Sequence, residues 1–99
     1  MREVDTYSAD AELALYREYR EIVHRYRFAV ETERRFYLAN DVDLKVRASD
    51  AGDIFFEVTL HDAWVWDIHR SSRFIRGARI VTFKDVNVEE LNGPDTDRG

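Results

Sequence analysis

The spacing of apolar residues changes from a helical to an extended period shortly after Tyr26, and this change constrains the fold more than any other feature. Before it, apolar side chains recur every three or four positions, which places them on one face of a helix: Leu15, Tyr16, Tyr19, Ile22, Val23 and Tyr26. The pattern predicts an amphipathic helix over residues 8–26, capped by Thr6 or Ser8. After it, apolar and polar residues alternate, as in strands with one buried face.

Alternation recurs along most of the remaining chain and predicts several strands: residues 30–38, 42–47, 54–61, 64–68 and 78–85. The charged middle of the first segment also fits a longer helix. Asn40-Asp41 and residues 49–53 have turn composition, and residues 88–91 are expected to form a short closing turn or helix. The connections are too short for parallel crossovers. We therefore predict an α+β domain in which the N-terminal helix packs on a four- or five-stranded antiparallel sheet.

The 99 residues, 44% of them hydrophobic, are enough for one domain, which we place at residues 1–92. Gly93-Pro94 would end any helix, so residues 93–99 are expected to be a mobile acidic tail. The chain has no cysteine, which excludes disulfides, a thiolate nucleophile and a cysteine zinc site. No apolar run approaches the length of a membrane span or a signal-peptide core, so we expect a cytoplasmic protein.

One basic block stands out in a chain whose formal net charge is −5. Residues 69–84 contain four arginines and Lys84 but no acidic residue, and we expect residues 69–77 to form an arginine-rich loop. Guanidinium groups bind phosphate bidentately, and neighbouring aromatic rings can stack on bases. The block therefore predicts a nucleic-acid-binding surface made by Arg70, Arg73, Arg76 and Arg79 and extended by Arg34 and Arg35. The alternative is that the tryptophans form core and that these arginines pair with acidic residues of the domain or of the acidic tails, the domain candidates being Glu31, Glu33, Asp62 and Asp67.

Four strings, taken together, resemble a small actinobacterial family of unknown function that is often encoded near ribonuclease HII. They are ELALYREYREIV at residues 12–23, VETERRFYLAN at residues 30–40, DAWVWD at residues 62–67 and VTFKDVN at residues 81–87. The resemblance covers most of residues 5–91. It implies a bacterial cytoplasmic protein of about this length, and it supplies no catalytic residues.

Enzymatic chemistry has weaker support in the sequence. Asp43 and Glu57 on neighbouring strands would suit a degenerate Mg²⁺-dependent nuclease, but Thr59 stands where such an enzyme has its lysine. The histidines lack metal-ligand spacing, and no glycine-rich loop is present to hold a phosphate. We therefore identify no catalytic residue, metal ligand or cofactor.

The sequence thus favours a small non-catalytic binding module that contacts RNA or structured nucleic acid. A second hypothesis is a protein-interaction adaptor that uses an aromatic sheet face, carrying Trp64 and Trp66, or an exposed strand edge. The degenerate nuclease is a third.

Overall fold

The computed structural model describes the backbone of residues 3–91 and the side chains of residues 9–91. Helix α1 spans Glu3–Ile22, and a 3₁₀ turn continues it over Val23–Arg25. The predicted helix is confirmed, although it begins five residues earlier than expected. The capping prediction is wrong because Thr6 and Ser8 lie inside α1.

Five strands follow the helix and form one antiparallel sheet, as predicted. They are β1 Phe28–Glu31, β2 Phe36–Ala48, β3 Ile54–Val65, β4 Phe74–Thr82 and β5 Asn87–Glu90. The strand order across the sheet is β4-β3-β2-β1-β5, and every neighbouring pair is antiparallel. The predicted tail at residues 93–99 lies outside the described residues.

Four local predictions are wrong. Residues 54–61 and 64–68 are not two strands, because β3 runs without a break over Ile54–Val65 and residues 66–68 lie beyond its end. The segment 30–38 is two strands, because a tight turn at residues 32–35 separates β1 from β2. Asn40-Asp41 is not a turn, since β2 passes through both residues and stays in register with β3 on either side of them. Residues 88–90 belong to β5 instead of a turn or helix, because pairing with β1 places Val88 opposite Val30.

Asp62 marks a kink that crosses the middle of the sheet. This residue has φ 55°, and Asn40 opposite it donates from Nδ2 to Asp62 Oδ2 at 2.7 Å. Asn40 Oδ1 in turn accepts the backbone N–H of Arg27 at 3.1 Å. At this kink the alternation of side chains between the two faces of the sheet shifts by one residue. Residues three apart on each strand therefore lie on the same face and in the same apolar cluster: Ala39 and Val42, Leu60 and Ala63, Ile75 and Ala78.

Two apolar clusters hold the domain together, one on each face of the sheet. In the first, Leu15, Ile22 and Tyr26 pack against Leu38 and Trp64, so the C-terminal half of the helical segment covers one face. The second cluster lies on the opposite face and joins Val30 of β1 to Val58 and Leu60 of β3, although β2 separates these strands. The sheet must therefore curl, which brings β1 and β5 over the strands beyond β2.

Candidate nucleic-acid interface

The turn between β1 and β2 carries two predicted site residues, Arg34 and Arg35. Thr32 holds this turn: its Oγ1 accepts the backbone N–H of Arg34 at 3.3 Å and that of Arg35 at 3.1 Å, and its own N–H donates to Arg35 O at 2.9 Å. A side-chain oxygen that bonds nearby backbone groups in this way stabilises a turn locally. Both arginine side chains are exposed.

Curling of the sheet brings this turn alongside the end of β4, and a groove of about 600 Å³ runs between them. Its lining combines cations with aromatic rings: Arg34, Arg35, Tyr37, Arg79, Phe83 and Lys84. Lys84 lies two residues after the last residue of β4, and its backbone N–H donates to Thr82 Oγ1 at 3.0 Å, which fixes the chain where the strand ends. Glu33 is the one carboxylate among the described lining residues.

The cations of the groove differ in how far they are neutralised. Arg35 Nη2 lies 3.5 Å from Asp67 Oδ2, and Arg79 Nε donates to Glu57 Oε2 at 2.6 Å. Within residues 9–91, neither Arg34 nor Lys84 has a carboxylate at ion-pair distance. The groove therefore keeps a positive balance in a protein of net negative charge.

Glu57 is shared by two arginines, because Arg47 Nε also donates to its Oε1. The hydrogen bonds from Arg47 and Arg79 lower the pKa of the Glu57 carboxyl below its ordinary value of 4.5. The carboxylate neutralises only one of its two partners, which leaves one positive charge on this part of the sheet.

Aromatic side chains lie beside these cations. Phe83 is 61% exposed, and its ring centroid is 5.3 Å from that of Phe55 on β3. Tyr37 is half-buried in the groove, and burial raises the pKa of its phenol. A phenol is protonated at neutral pH with or without this shift, so the hydroxyl can donate a hydrogen bond.

The predicted arginine-rich loop does not form as one surface. The connection after β3 ends at Arg73, so Arg76 and Arg79 lie on β4. Arg73 is half-buried, and its guanidinium donates to Glu18 of α1 and, at 2.9 Å, to Arg70 O. Arg70 donates from Nε to Ser72 O at 3.1 Å and lines a separate depression with Ser71 and Ser72.

Of the six predicted residues, the structure brings together Arg34, Arg35 and Arg79, which come from distant parts of the sequence. Sequence reasoning did not assign Lys84, Tyr37 or Phe83 to the site. Lys84 could have been found, since it ends the same acid-free stretch as the arginines. The two rings carry no such signal, because their position depends on the curl of the sheet.

The surfaces that the adaptor and nuclease hypotheses require are partly occupied by other side chains of this protein. Trp64 is fully buried beneath α1, and Trp66 packs beside it, so the helix covers this aromatic face. Asp43 and Glu57 lie on one face of the sheet, but guanidinium groups bind both oxygens of Glu57. No cluster of three or more histidine or acidic residues suited to a metal occurs in the part of the chain that the structure describes.

The helical part of the described chain contains no segment with the length and apolarity needed to cross a membrane.

Comparison with known proteins gives three related findings. The sequence pattern of a family described as "Protein of unknown function (DUF2469)" matches residues 1–98. Uncharacterized proteins of Mycobacterium bovis and of two strains of Mycobacterium tuberculosis are each 52% identical to this chain over 93 residues, which cover 94% of the chain and 91% of each relative. No solved structure matches the chain.

Proposed function

The chain belongs to the DUF2469 family of proteins of unknown function, and we propose that it is a small non-catalytic module that binds RNA through the groove between the β1–β2 turn and β4. The resemblance to a family of unknown function is thereby confirmed. That genes of this family are often encoded near ribonuclease HII stays a prediction. A cytoplasmic site of action is part of the proposal.

One observation carries this proposal: cations from two distant segments line one groove beside an exposed phenyl ring. Arg34 and Lys84 are available for phosphate, while Arg79 lies beside them on β4. Phe83 offers a flat apolar surface on which an unpaired base can stack. Phosphate contacts supply affinity, and stacking favours unpaired nucleotides over a duplex.

Structured duplex and single-stranded RNA differ in what they require from this surface. A duplex keeps its bases stacked, so Phe83 would contribute nothing to its binding. We therefore propose that the ligand is single-stranded or looped RNA. The Arg70 depression, on the connection between β3 and β4, is not needed for this function.

The test is a fluorescence-anisotropy titration with a labelled single-stranded RNA of about 12 nucleotides, a length within the range that small domains occupy. Three to four phosphate contacts predict that log K falls with log salt at a slope of about −2 to −3 between roughly 50 and 200 mM salt. Reversing charge in the Arg34→Glu, Lys84→Glu double variant should reduce that slope by roughly 1–2.

The matched control is the Arg17→Glu, Arg25→Glu double variant, which changes net charge equally at exposed positions on the helical segment. It should retain most of the affinity. Phe83→Ala should weaken the binding of single-stranded RNA by about 1–3 kcal/mol and leave the binding of a duplex of the same length unchanged. Equal losses in both charge variants, or no binding at low salt, would refute the proposal.

A further inference from the structure

The second half of β2 has one unpaired edge. Residues 36–39 of β2 pair with β1 on one side, and residues 37–39 also pair with β3 on the other. Residues 41–48 pair with β3 alone among the described residues. All but one of the side chains in this segment are exposed. Such an edge presents unpaired backbone N–H and C=O groups along its length, and it pairs readily with another strand.

The hydrogen-bonding direction along this edge follows from the β2–β3 turn. Ser49 N donates to Asp53 O at 2.8 Å, so Ser49 points its backbone groups towards β3. Because the direction alternates along a strand, Val42, Leu44 and Val46 point theirs away from β3. These three residues also share one face of the sheet, where Leu44 is 41% exposed and Val46 is 63% exposed.

The sequence of this edge is complementary to itself in the antiparallel direction. Residues 41–47 read Asp-Val-Asp-Leu-Lys-Val-Arg, with two acids before the central leucine and two bases after it. When two copies pair about Leu44, Asp43 lies opposite Lys45 of the second copy and Asp41 lies opposite its Arg47. On the other face Val42 lies opposite Val46. Directly opposed pairs of this kind stabilise a sheet.

We propose that this edge pairs with the same edge of a second copy of the chain, forming a two-fold symmetric dimer with a continuous sheet. Val42, Leu44 and Val46 of each copy donate and accept the hydrogen bonds across the axis. The exposed Lys45–Asp43 pair within one chain, 3.6 Å apart, is replaced by pairs between chains. In a two-fold symmetric dimer both copies use the same surface, so that surface must be complementary to itself, and residues 41–47 meet this requirement.

The proposed dimer is independent of RNA binding, because β4 and the RNA groove lie at the opposite edge of this three-stranded part of the sheet. Two grooves would then face outwards at the two ends of a six-stranded layer. A variant that no longer dimerises can therefore still be tested for RNA binding, and a variant that no longer binds RNA can still be tested for dimerisation.

Sedimentation equilibrium of the full chain tests the dimer over about 1 µM to 1 mM, a range that covers weak and moderate affinities. The account predicts a mass that rises with concentration from one chain to two. Asp43→Lys should abolish the rise, since it places like charges opposite each other at two symmetry-related positions. The double variant Asp43→Lys, Lys45→Asp should restore it, because the exchanged charges are again complementary.

Two further variants separate edge pairing from general effects of charge and folding. Val46→Pro removes an N–H that points away from β3, and an edge strand tolerates such a change. The variant should be folded by circular dichroism and monomeric by sedimentation equilibrium. Asp50→Lys, in the β2–β3 turn, makes the same charge change outside the paired segment and should leave the dimer intact.

Amide hydrogen exchange identifies what covers the edge. Protection at Val42, Leu44 and Val46 should increase with protein concentration. A monomer at every concentration, whether these amides are unprotected or are protected by another segment of the same chain, would overturn the proposal. A dimer that persists in Val46→Pro and Asp43→Lys would also overturn it.

Discussion

The guanidinium of Arg73 donates from Nε to the Oε1 carboxylate oxygen of Glu18, which ties the connection between β3 and β4 to helix α1. Both side chains are half-buried, and the nearby Arg70 carbonyl accepts a second hydrogen bond from the same guanidinium. An arginine that looks like a phosphate ligand in the sequence thus holds the helix against the domain.

We expect Arg73→Ala to lower the free energy of unfolding by about 1.5–3 kcal/mol, the cost of losing a hydrogen-bonded charged partner. RNA affinity should stay within twofold, since Arg73 does not line the groove. Urea denaturation and anisotropy titration measure the two effects separately. A stable variant that has lost RNA binding would contradict this assignment.

The helix should be sensitive to substitution on one face only. Leu15 is 4% exposed within the core beneath α1, whereas Leu13 is 47% exposed. Leu15→Ala should cost about 2–5 kcal/mol of stability, and the same change at Leu13 should cost less than about 1 kcal/mol. Chemical denaturation of the two variants provides the comparison, and similar losses would mean that the helix packs through another face.

Gly77 should tolerate no side chain. A Cβ added there would lie 2.9 Å from the backbone oxygen of Leu60 on β3, which is held in the sheet. Gly77→Ala is therefore expected to destabilise the protein by about 1–3 kcal/mol. Arg76→Ala at the neighbouring exposed position is the control and should change stability by less than about 0.5 kcal/mol. Thermal denaturation of both variants tests the close approach.

Stability should depend on pH through Glu57. Arg47 and Arg79 lower the folded-state pKa of Glu57 below its ordinary value of 4.5. The stability that this ionised carboxylate contributes is therefore fully present above pH 4.5, and it is lost as the pH falls through the lowered pKa. Glu57→Gln should therefore reduce the melting temperature at neutral pH and have progressively less effect below pH 4.5. Glu89→Gln, at an exposed position on β5, is the control. A Glu57→Gln effect that grows on acidification would contradict the assigned pairing.

The fold class followed from periodicity because α1 buries one face and β3 alternates regularly up to the kink at Asp62. Prediction failed where a tertiary contact overrode local signals. Asn40-Asp41 has turn composition, but Asn40 bonds Asp62 across the sheet and stays in β2. Residues 88–90 become a strand only because β1 offers them an edge.

The candidate site was only partly predictable for the same reason. Charge content identified the arginines, but it could not show that Glu18 lies within reach of Arg73. Nor could it show that curling of the sheet brings Arg34 to the end of β4. Both facts depend on contacts between segments that are far apart in the sequence.

The most direct test of the proposed RNA-binding groove is a two-dimensional NMR titration of the isotope-labelled chain with the single-stranded RNA. The account predicts progressive amide shifts at residues 32–35 and 79–84, which are weakened by added salt and absent in the Arg34→Glu, Lys84→Glu variant. Shifts confined to α1 or to residues 70–72, or no shifts at low salt, would contradict it.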